Sequence, residues 1–502
     1  MRNQTVAILD FGSQYVRLIA RRVRENQVHS MIFAPDVAPE ELRKHDIIGI
    51  LLSGGPASTY AAAAPKPHAG LLDLGVPVLG ICYGMQAACE QLGAQVRPVG
   101  RREYGRTELT LTTPDPVLAH VPDQTHVWMS HGDAVGGFGD DFVTLAHTKN
   151  CPHAVVRHRT RPLYGVQFHP EVTHTPEGGQ VLRNFLFEVC GAAGAWQPAS
   201  IIERSVAAVR NHVPDDARVI CGLSGGVDSA VTATLLHRAV GERLACVFVD
   251  NGLLRANERE RVVALFDGHF KMNLHVARAE DRFLSALAGV IDPQEKRRRI
   301  GHAFIEVFEQ QAREIPNARF LAQGTLYPDV IESGHSQAGT AAGIKLHHNV
   351  GGLPADMGFE LIEPLRDLFK DEVRRIGELL GLPEEIVWRH PFPGPGLAVR
   401  IVGEVTPERC AVLRKADQII IEEIREAGWY RKIAQAFGVL LPISAVGVMG
   451  DGRTYADQQV VAVRFVESTD FMTADWVHVE PGLLASISTR ITNEVPGINR
   501  VV

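Results

Sequence analysis

Val76-Pro-Val-Leu-Gly-Ile-Cys-Tyr-Gly-Met-Gln-Ala-Ala-Cys-Glu-Gln-Leu-Gly93 passes from an apolar run into a helical pattern through a turn flanked by Gly80 and Gly84. Val76–Cys82 is short and uniformly apolar, as a strand covered on both faces must be. Met85–Leu92 follows as a helix, and Gly93 stops it. Outward from this stretch the same alternation repeats. Val6–Asp10 reads as a strand ahead of a helix through Gln14–Arg24, and Asp46–Ser53 as a buried strand ending in Gly54-Gly55-Pro56. Leu163–His169 reads as a further strand, with Pro170 and Glu171 directly after it. Short apolar strands alternating with helices predict a parallel α/β sheet.

A linker is read at Ala192–Pro198 from its small residues and proline. A second α/β pattern follows, with a helix at Ile201–His212 and strands at Arg218–Leu223 and Ala245–Asp250. Beyond the Pro/Gly cluster Pro391–Gly396 lie a helical Pro407–Ala427, a strand-like Val460–Val466 and a helical Leu483–Glu494, which predict a small α+β module. The fold class is thus α/β: two parallel-sheet domains followed by a small α+β domain, over 4–195, 196–388 and 389–502.

The chain has 502 residues, enough for about three domains at ~150 residues each. Its net charge of −7 argues against a polycation that wraps nucleic acid. Seven cysteines with no CxxC spacing argue against a disulfide framework or a structural zinc site and favour the reducing cytoplasm. The opening residues, Met1-Arg-Asn-Gln-Thr-Val6, lead into a strand and lack the layout of a signal peptide. No apolar run approaches ~18 residues, so no membrane span is expected.

Two stretches carry chemistry. A sharp strand-to-helix turn at Cys82 needs small flanking residues and aims a helix N-terminus at the sulfur, favouring a thiolate. His169 at a strand end can take the thiol proton and return it to a leaving amine, and Glu171 can orient the imidazole. An isolated cysteine is usually an inert buried thiol; the pairing with His-Pro-Glu carries the specificity. The second stretch, Leu223-Ser-Gly-Gly-Val-Asp-Ser229, sits between a strand and the helix Ala230–Leu236. Gly225 and Gly226 let the backbone close around an anion, while Ser224, Ser229 and the helix N-terminus supply donors. The GxxxxGK[ST] pattern is absent, which disfavours γ-phosphate transfer of that type.

Ser53-Gly-Gly-Pro56, Gly80-Ile-Cys-Tyr-Gly-Met-Gln86 and Gln167-Phe-His-Pro-Glu171 resemble the three main motifs of the class I glutamine amidotransferases. The resemblance implies that Cys82, His169 and Glu171 release ammonia from glutamine through a glutamyl thioester, with backbone N–H groups near Gly55 and Tyr83 holding the oxyanion. Ser224-Gly-Gly-Val-Asp-Ser229 resembles the signature of the N-type ATP pyrophosphatases. That likeness places pyrophosphate on Ser224, Gly225, Gly226, Val227, Asp228 and Ser229, lets Asp228 help hold Mg²⁺ with ATP, and sets Val249 and Gly324 near the nucleotide.

Tyr327–Ser333, Ile344–Gly352, Arg389–Gly396, Val446–Arg453 and Arg490–Arg500 resemble the glutamine-hydrolysing GMP synthetase family. Adenylylation of xanthosine monophosphate (XMP) on a purine oxygen, followed by displacement of AMP by ammonia, is what that resemblance implies. It further implies a homodimer, with no nucleic-acid or membrane partner. Asp329, Glu332, Lys345, His347 and His348 would form the synthetase wall and a water-excluding lid, and Arg297 and Arg500 would contact XMP. The run Lys296–Arg299 would otherwise be a solvated helix face. Departures from the family pattern are Leu346, Arg299, and a tail past Val502 bearing Lys and Glu contacts to XMP, so 389–502 is read as lacking its usual tail. NAD or asparagine synthesis and tRNA thiolation use similar loops, but this chain starts Met1-Arg2-Asn3 without an N-terminal cysteine nucleophile and shows no sulfur-relay pair. A non-enzymatic nucleotide-binding module is the reading against which the intact constellations argue.

Overall fold

The computed structural model describes residues 3–335, 358–444, 447–449, 452–454, 458–468 and 474–502. The chain divides into two compact units, Met1–Ile201 and Ile202–Val502.

The first unit is built on a nine-stranded sheet. Five strands are parallel, in the order His29–Phe33, Gln4–Leu9, Asp46–Leu52, Val78–Ile81 and Leu163–Val166. The other four extend it antiparallel: Val155–His158, Phe142–His147, Gln95–Leu111 and Gln124–Gly137. The antiparallel half was not expected from the alternation of strands and helices. It needs no crossover helices, so it leaves none of the helical periodicity that marks the parallel half. The central parallel strands are apolar where they are buried: Val6, Ala7, Ile8 and Leu9, and Ile50, Leu51 and Leu52, are wholly buried.

The second unit holds a five-stranded parallel sheet in the order Asn273–Arg278, Leu244–Asp250, Arg218–Leu223, Ala318–Ala322 and Glu360–Ile362. In chain order that is 3-2-1-4-5, so the direction of winding reverses between Arg218–Leu223 and Ala318–Ala322. A crevice opens at the carboxyl ends of strands at such a reversal. Ser224–Gly226 and Gln323–Gly324 leave the sheet at that point. Gln435–Ser444 pairs antiparallel with Gln459–Glu467, which is flanked by Asp475–Trp476 and, in parallel, by Ile498–Val501. The helices Pro407–Glu426 and Pro481–Glu494 contribute to one apolar core that joins Ile220, Val247 and Phe308 to Leu413, Ile420 and Ile491.

Within the run Lys296–Arg299, whose alternative reading was a solvated helix face, the first residue is buried. Lys296, on the helix Pro293–Glu314, is only 1% exposed. Its ammonium donates to the carbonyls of Ala398 (3.2 Å), Ile401 (2.7 Å) and Gly403. Three donors meet three acceptors, so a buried cation replaces the backbone partners that this turn lacks. Burial, aided by the charge of Arg409, lowers the Lys296 pKa to about 8. Arg298 and Arg299 both pair with Glu295 instead, and Arg299 also donates to the Ala286 carbonyl. Lys296→Met leaves those three carbonyls without donors; we expect a loss on the order of 3 kcal/mol in the unfolding free energy of the second unit, read by urea denaturation.

Candidate active sites

In the first unit the strand Val78–Ile81 ends at Cys82, which caps the helix Tyr83–Gln91 with φ +52°. A positive φ on a non-glycine residue stores strain that the surroundings must enforce. They do so by close packing. A Cβ on Gly80 would lie 2.5 Å from the Met85 nitrogen, and one on Gly84 2.3 Å from the Leu52 carbonyl oxygen. Only glycine on both sides lets strand and helix meet at this angle.

The Cys82 sulfur lies 3.7 Å from the Ser130 carbonyl and accepts from the Gln167 amide at 3.6 Å. His169 stands three residues past the strand Leu163–Val166. Its Nδ1 meets the Glu171 carboxylate at 2.7 Å, and Cys82 lies close enough to raise its pKa. Cys82 and His169 are each 5% exposed, and Glu171 is fully buried. Burial by itself would push the imidazole pKa down. The hydrogen bonds and charges of Cys82 and Glu171 outweigh it and raise His169 to about 10. The ring is therefore an imidazolium held between a sulfur and a carboxylate, which is the charge state that can deliver a proton to a leaving amine. Thr175 donates to the His169 carbonyl at 2.7 Å, and the ring of Tyr15 meets the imidazole edge-on.

Gly54 lies against both partners, where a Cβ would sit 3.0 Å from His169 Cε1 and 3.7 Å from Cys82 Cβ. Gly55 packs on the Phe11 carbonyl, and Tyr83 supplies the first amide of the helix, one of those without an intrahelical acceptor. Gln86 donates to the Asp133 carbonyl (2.7 Å) and to Gln167 (3.1 Å), tying the helix to the strand segment 130–133. Ser130 and Gln167 escaped the sequence reading as contacts of the sulfur. Gln167 had a signal in its place two residues before His169; Ser130 had none.

In the second unit Gly225 takes φ +70°, and Gly226 caps the helix Val227–Val240. Ser224 and Ser229 hydroxyls meet at 3.0 Å, and Ser229 reaches back to the Gly226 carbonyl. The loop is thus closed by its own side chains. Asp228 Oδ2 pairs with Lys370, while Asp228 Oδ1 is buried with no hydrogen-bond partner. Thr232 Oγ1 and Gln323 Nε2 are likewise buried and unpartnered. Gly324 presses on Asp228, its Cβ position 3.2 Å from Asp228 Cβ. Unpaired polar atoms at the switch point are what an absent polar ligand leaves behind. An orphaned carboxylate oxygen beside a phosphate-type loop fits a divalent cation. Val249, near the end of the neighbouring strand, is buried.

Lys370 and Arg389 were missed because their partners are 142 and 164 residues away in sequence. Arg389 donates to the Gly225 carbonyl and pairs with Glu258 at 2.7 Å, bracing the loop from behind. His390 fixes this strap. It stacks on Tyr430 (4.1 Å between ring centroids) and accepts the Ala436 N–H at Nδ1, so its Nε2 donates to the Tyr430 carbonyl. Burial lowers the His390 pKa to about 4, keeping the ring neutral as that pattern requires.

Other expected residues are more scattered. Asp329 accepts the Leu326 N–H at the start of the helix Tyr327–His335, which also carries Glu332. Arg297 is half-buried on the helix Pro293–Glu314, with no ion pair among the described residues. Arg500 lies exposed on the strand Ile498–Val501. Lys345, Leu346, His347 and His348 lie outside the described residues.

Three family models match the chain: "Glutamine amidotransferase class-I" over 7–189, "NAD synthase" over 201–295 and "GMP synthase C terminal domain" over 422–502. The chain is 54% identical over 502 residues to a glutamine-hydrolysing GMP synthase of Caldanaerobacter subterraneus subsp. tengcongensis, covering 100% of this chain and 97% of that relative. It is 53% identical to one of Aeromonas salmonicida, covering 99% and 96%. An amidotransferase unit and an ATP-type loop therefore stand on one chain that matches such relatives nearly end to end, and the chain belongs to the glutamine-hydrolysing GMP synthase family.

Proposed function

We propose that the chain converts XMP, ATP, glutamine and water to GMP, AMP, pyrophosphate and glutamate. The observation that carries this reading is the pairing, on one chain, of a Cys82–His169–Glu171 line with a glycine loop whose Asp228 keeps an orphaned buried oxygen. In the first unit the Cys82 sulfur attacks the side-chain carbonyl carbon of glutamine. The oxyanion turns to the amides of Gly55 and Tyr83, and the His169 imidazolium gives its proton to the departing ammonia. Water then enters, His169 takes its proton, and the glutamyl thioester opens to glutamate and the free thiol.

In the second unit Ser224, Gly225, Gly226, Val227, Asp228 and Ser229 receive the pyrophosphate half of ATP, with Val249 and Gly324 beside the nucleoside. Asp228 would hold Mg²⁺ through Oδ1; bound there, the ion offsets charge on the phosphate oxygens. Lys370 brings a second positive charge to the same carboxylate. A purine oxygen of XMP displaces pyrophosphate from the α-phosphorus. Ammonia then adds to the purine carbon, and AMP leaves with that oxygen. Arg297 and Arg500 are assigned to XMP, Asp329 and Glu332 to the active-site wall, and Lys345, His347 and His348 to the lid. The division at 4–195, 196–388 and 389–502, a homodimer and a cytoplasmic setting complete the proposal. Among the described residues no helix is long and apolar enough to cross a membrane.

An assay of glutamate and GMP, with each substrate omitted in turn, tests this reading: GMP must require XMP and ATP, and pyrophosphate must appear one for one with AMP. Cys82→Ala should cut glutamine-driven GMP formation by roughly a thousandfold or more, yet leave synthesis from ammonium salts intact. Simultaneous loss of both in a folded variant would refute the two-site division. Asp228→Asn should do the reverse, abolishing synthesis from either nitrogen source while free glutamine hydrolysis persists. The pH profile of glutamate release reports His169. Its raised pKa keeps the imidazolium through neutral pH, so the rate should hold until pH nears about 10 and fall above it. Glu171→Gln removes a contact that raises this pKa, and the falling limb should move to lower pH.

A further inference from the structure

Beside the strand segment that faces the Cys82 sulfur lies a second cluster of reactive side chains that the reaction above does not use. Glu103 and His131 are direct cross-strand partners on Gln95–Leu111 and Gln124–Gly137, and Cys151 sits in the loop after Phe142–His147. Glu103 and His131 are each 4% exposed and Cys151 is fully buried. One donor atom from each of the three residues falls within 4.8 Å of the other two, the one such trio among the described residues.

The hydrogen-bond pattern limits what can occupy the centre. His131 Nδ1 lies 2.9 Å from the Asp133 carbonyl, which can only accept, so Nδ1 carries a hydrogen. His131 Nε2 then faces the Glu103 carboxylate at 3.2 Å. In a neutral ring that is a lone pair against an anionic oxygen, and the contact needs a positive charge between the two atoms. The Thr148 hydroxyl donates to the Glu103 oxygens at 2.8 and 3.1 Å and receives the Cys151 N–H at 2.9 Å. A histidine anchored on a carbonyl and a carboxylate anchored on a hydroxyl are the outer contacts that hold metal ligands in place.

We propose that Glu103, His131 and Cys151 form a binding site for a soft divalent cation of the zinc class. Metal–nitrogen and metal–oxygen bonds of ~2.0–2.2 Å give a tetrahedral N···O edge of about 3.3 Å, close to the spacing between Glu103 and His131. One carboxylate, one thiolate and a neutral imidazole balance a 2+ ion, so the buried site ends without net charge. On binding, the Cys151 thiol proton leaves to solvent as the sulfur–metal bond forms. A single carboxylate among the three ligands disfavours magnesium and calcium, which take mostly oxygen. The spacing of the ligands along the chain, 103, 131 and 151, has no short-range motif, which is why the cysteine count pointed away from zinc. The ion would tether the strand segment 130–133, whose Ser130 carbonyl contacts the Cys82 sulfur and whose Asp133 carbonyl holds Gln86.

The test uses the full chain carrying Cys82→Ala, so that the nucleophile cannot bind metal. After stripping with a chelator, zinc chloride titrated against a chromophoric competitor should fill one site per chain, and cobalt chloride should give a thiolate-to-metal charge-transfer band. Adding Cys151→Ser should abolish that band and weaken zinc by about tenfold or more. Glu103→Gln should weaken zinc to a similar degree and keep the band, which covers the case in which the serine variant fails to fold. Absence of a cobalt–thiolate band in the Cys82→Ala chain, or zinc affinity unchanged by both further substitutions, overturns the proposal. The contact between Glu103 and His131 is then a proton-bridged ion pair. Because the readout is metal binding by a chain without its nucleophile, the result is independent of whether the chain makes GMP.

Discussion

A fully buried carboxylate cannot stay charged without a partner, and the partner of Glu171 is the His169 ring. Its Oε2 finds no hydrogen bond, so the pairing of Oε1 with His169 carries most of its compensation. Desolvation would ordinarily discharge the histidine as well. Here the carboxylate and the sulfur both act on one ring, and their combined pull exceeds the burial penalty. The imidazolium is therefore the resting state. The strained backbone at Cys82, the close glycines at 80 and 84 and the hydrogen bond from Thr175 to the His169 carbonyl all hold the sulfur and the ring in this geometry.

The second unit solves a different problem with less burial. Its loop is open to solvent at Ser224, and it presents backbone amides and a helix N-terminus with no lysine inside the motif. Charge is imported from later in the chain. Lys370 reaches Asp228, and Arg389 reaches the carbonyl of Gly225 while answering buried Glu258. The strap from Arg389 onward is in turn pinned by the neutral, stacked His390. The strand ahead of the loop, the strap and the C-terminal helices share one core, so segments far apart in sequence support this loop.

Buried polar groups recur in both units as fasteners. Lys296 fills a cage of three carbonyls at Ala398, Ile401 and Gly403, where an apolar residue would leave acceptors empty. Glu103 and His131 lock adjacent strands at the segment 130–133. In each case a charge is tolerated because its donors and acceptors are matched nearly one to one, which gives the joint a single register that apolar packing would not impose.

The strand–turn–helix at Cys82, the His169-Pro-Glu171 sequence and the loop from Ser224 to Ser229 were legible in the residues alone. Each is contiguous, and local backbone geometry determines which residue types it tolerates. The central parallel strands were legible for the same reason, since burial on both faces favours apolar runs, whereas the more polar His29–Phe33 and Asn273–Arg278 and the short Glu360–Ile362 were not read. The antiparallel half of the first sheet, the partners Lys370 and Arg389, the Lys296 cage and the Glu103–His131–Cys151 trio were decided only by the tertiary structure. Their energies come from groups brought together by chain reversals over tens to hundreds of residues. No periodicity or short spacing along a sequence encodes which distant charge will answer which buried one.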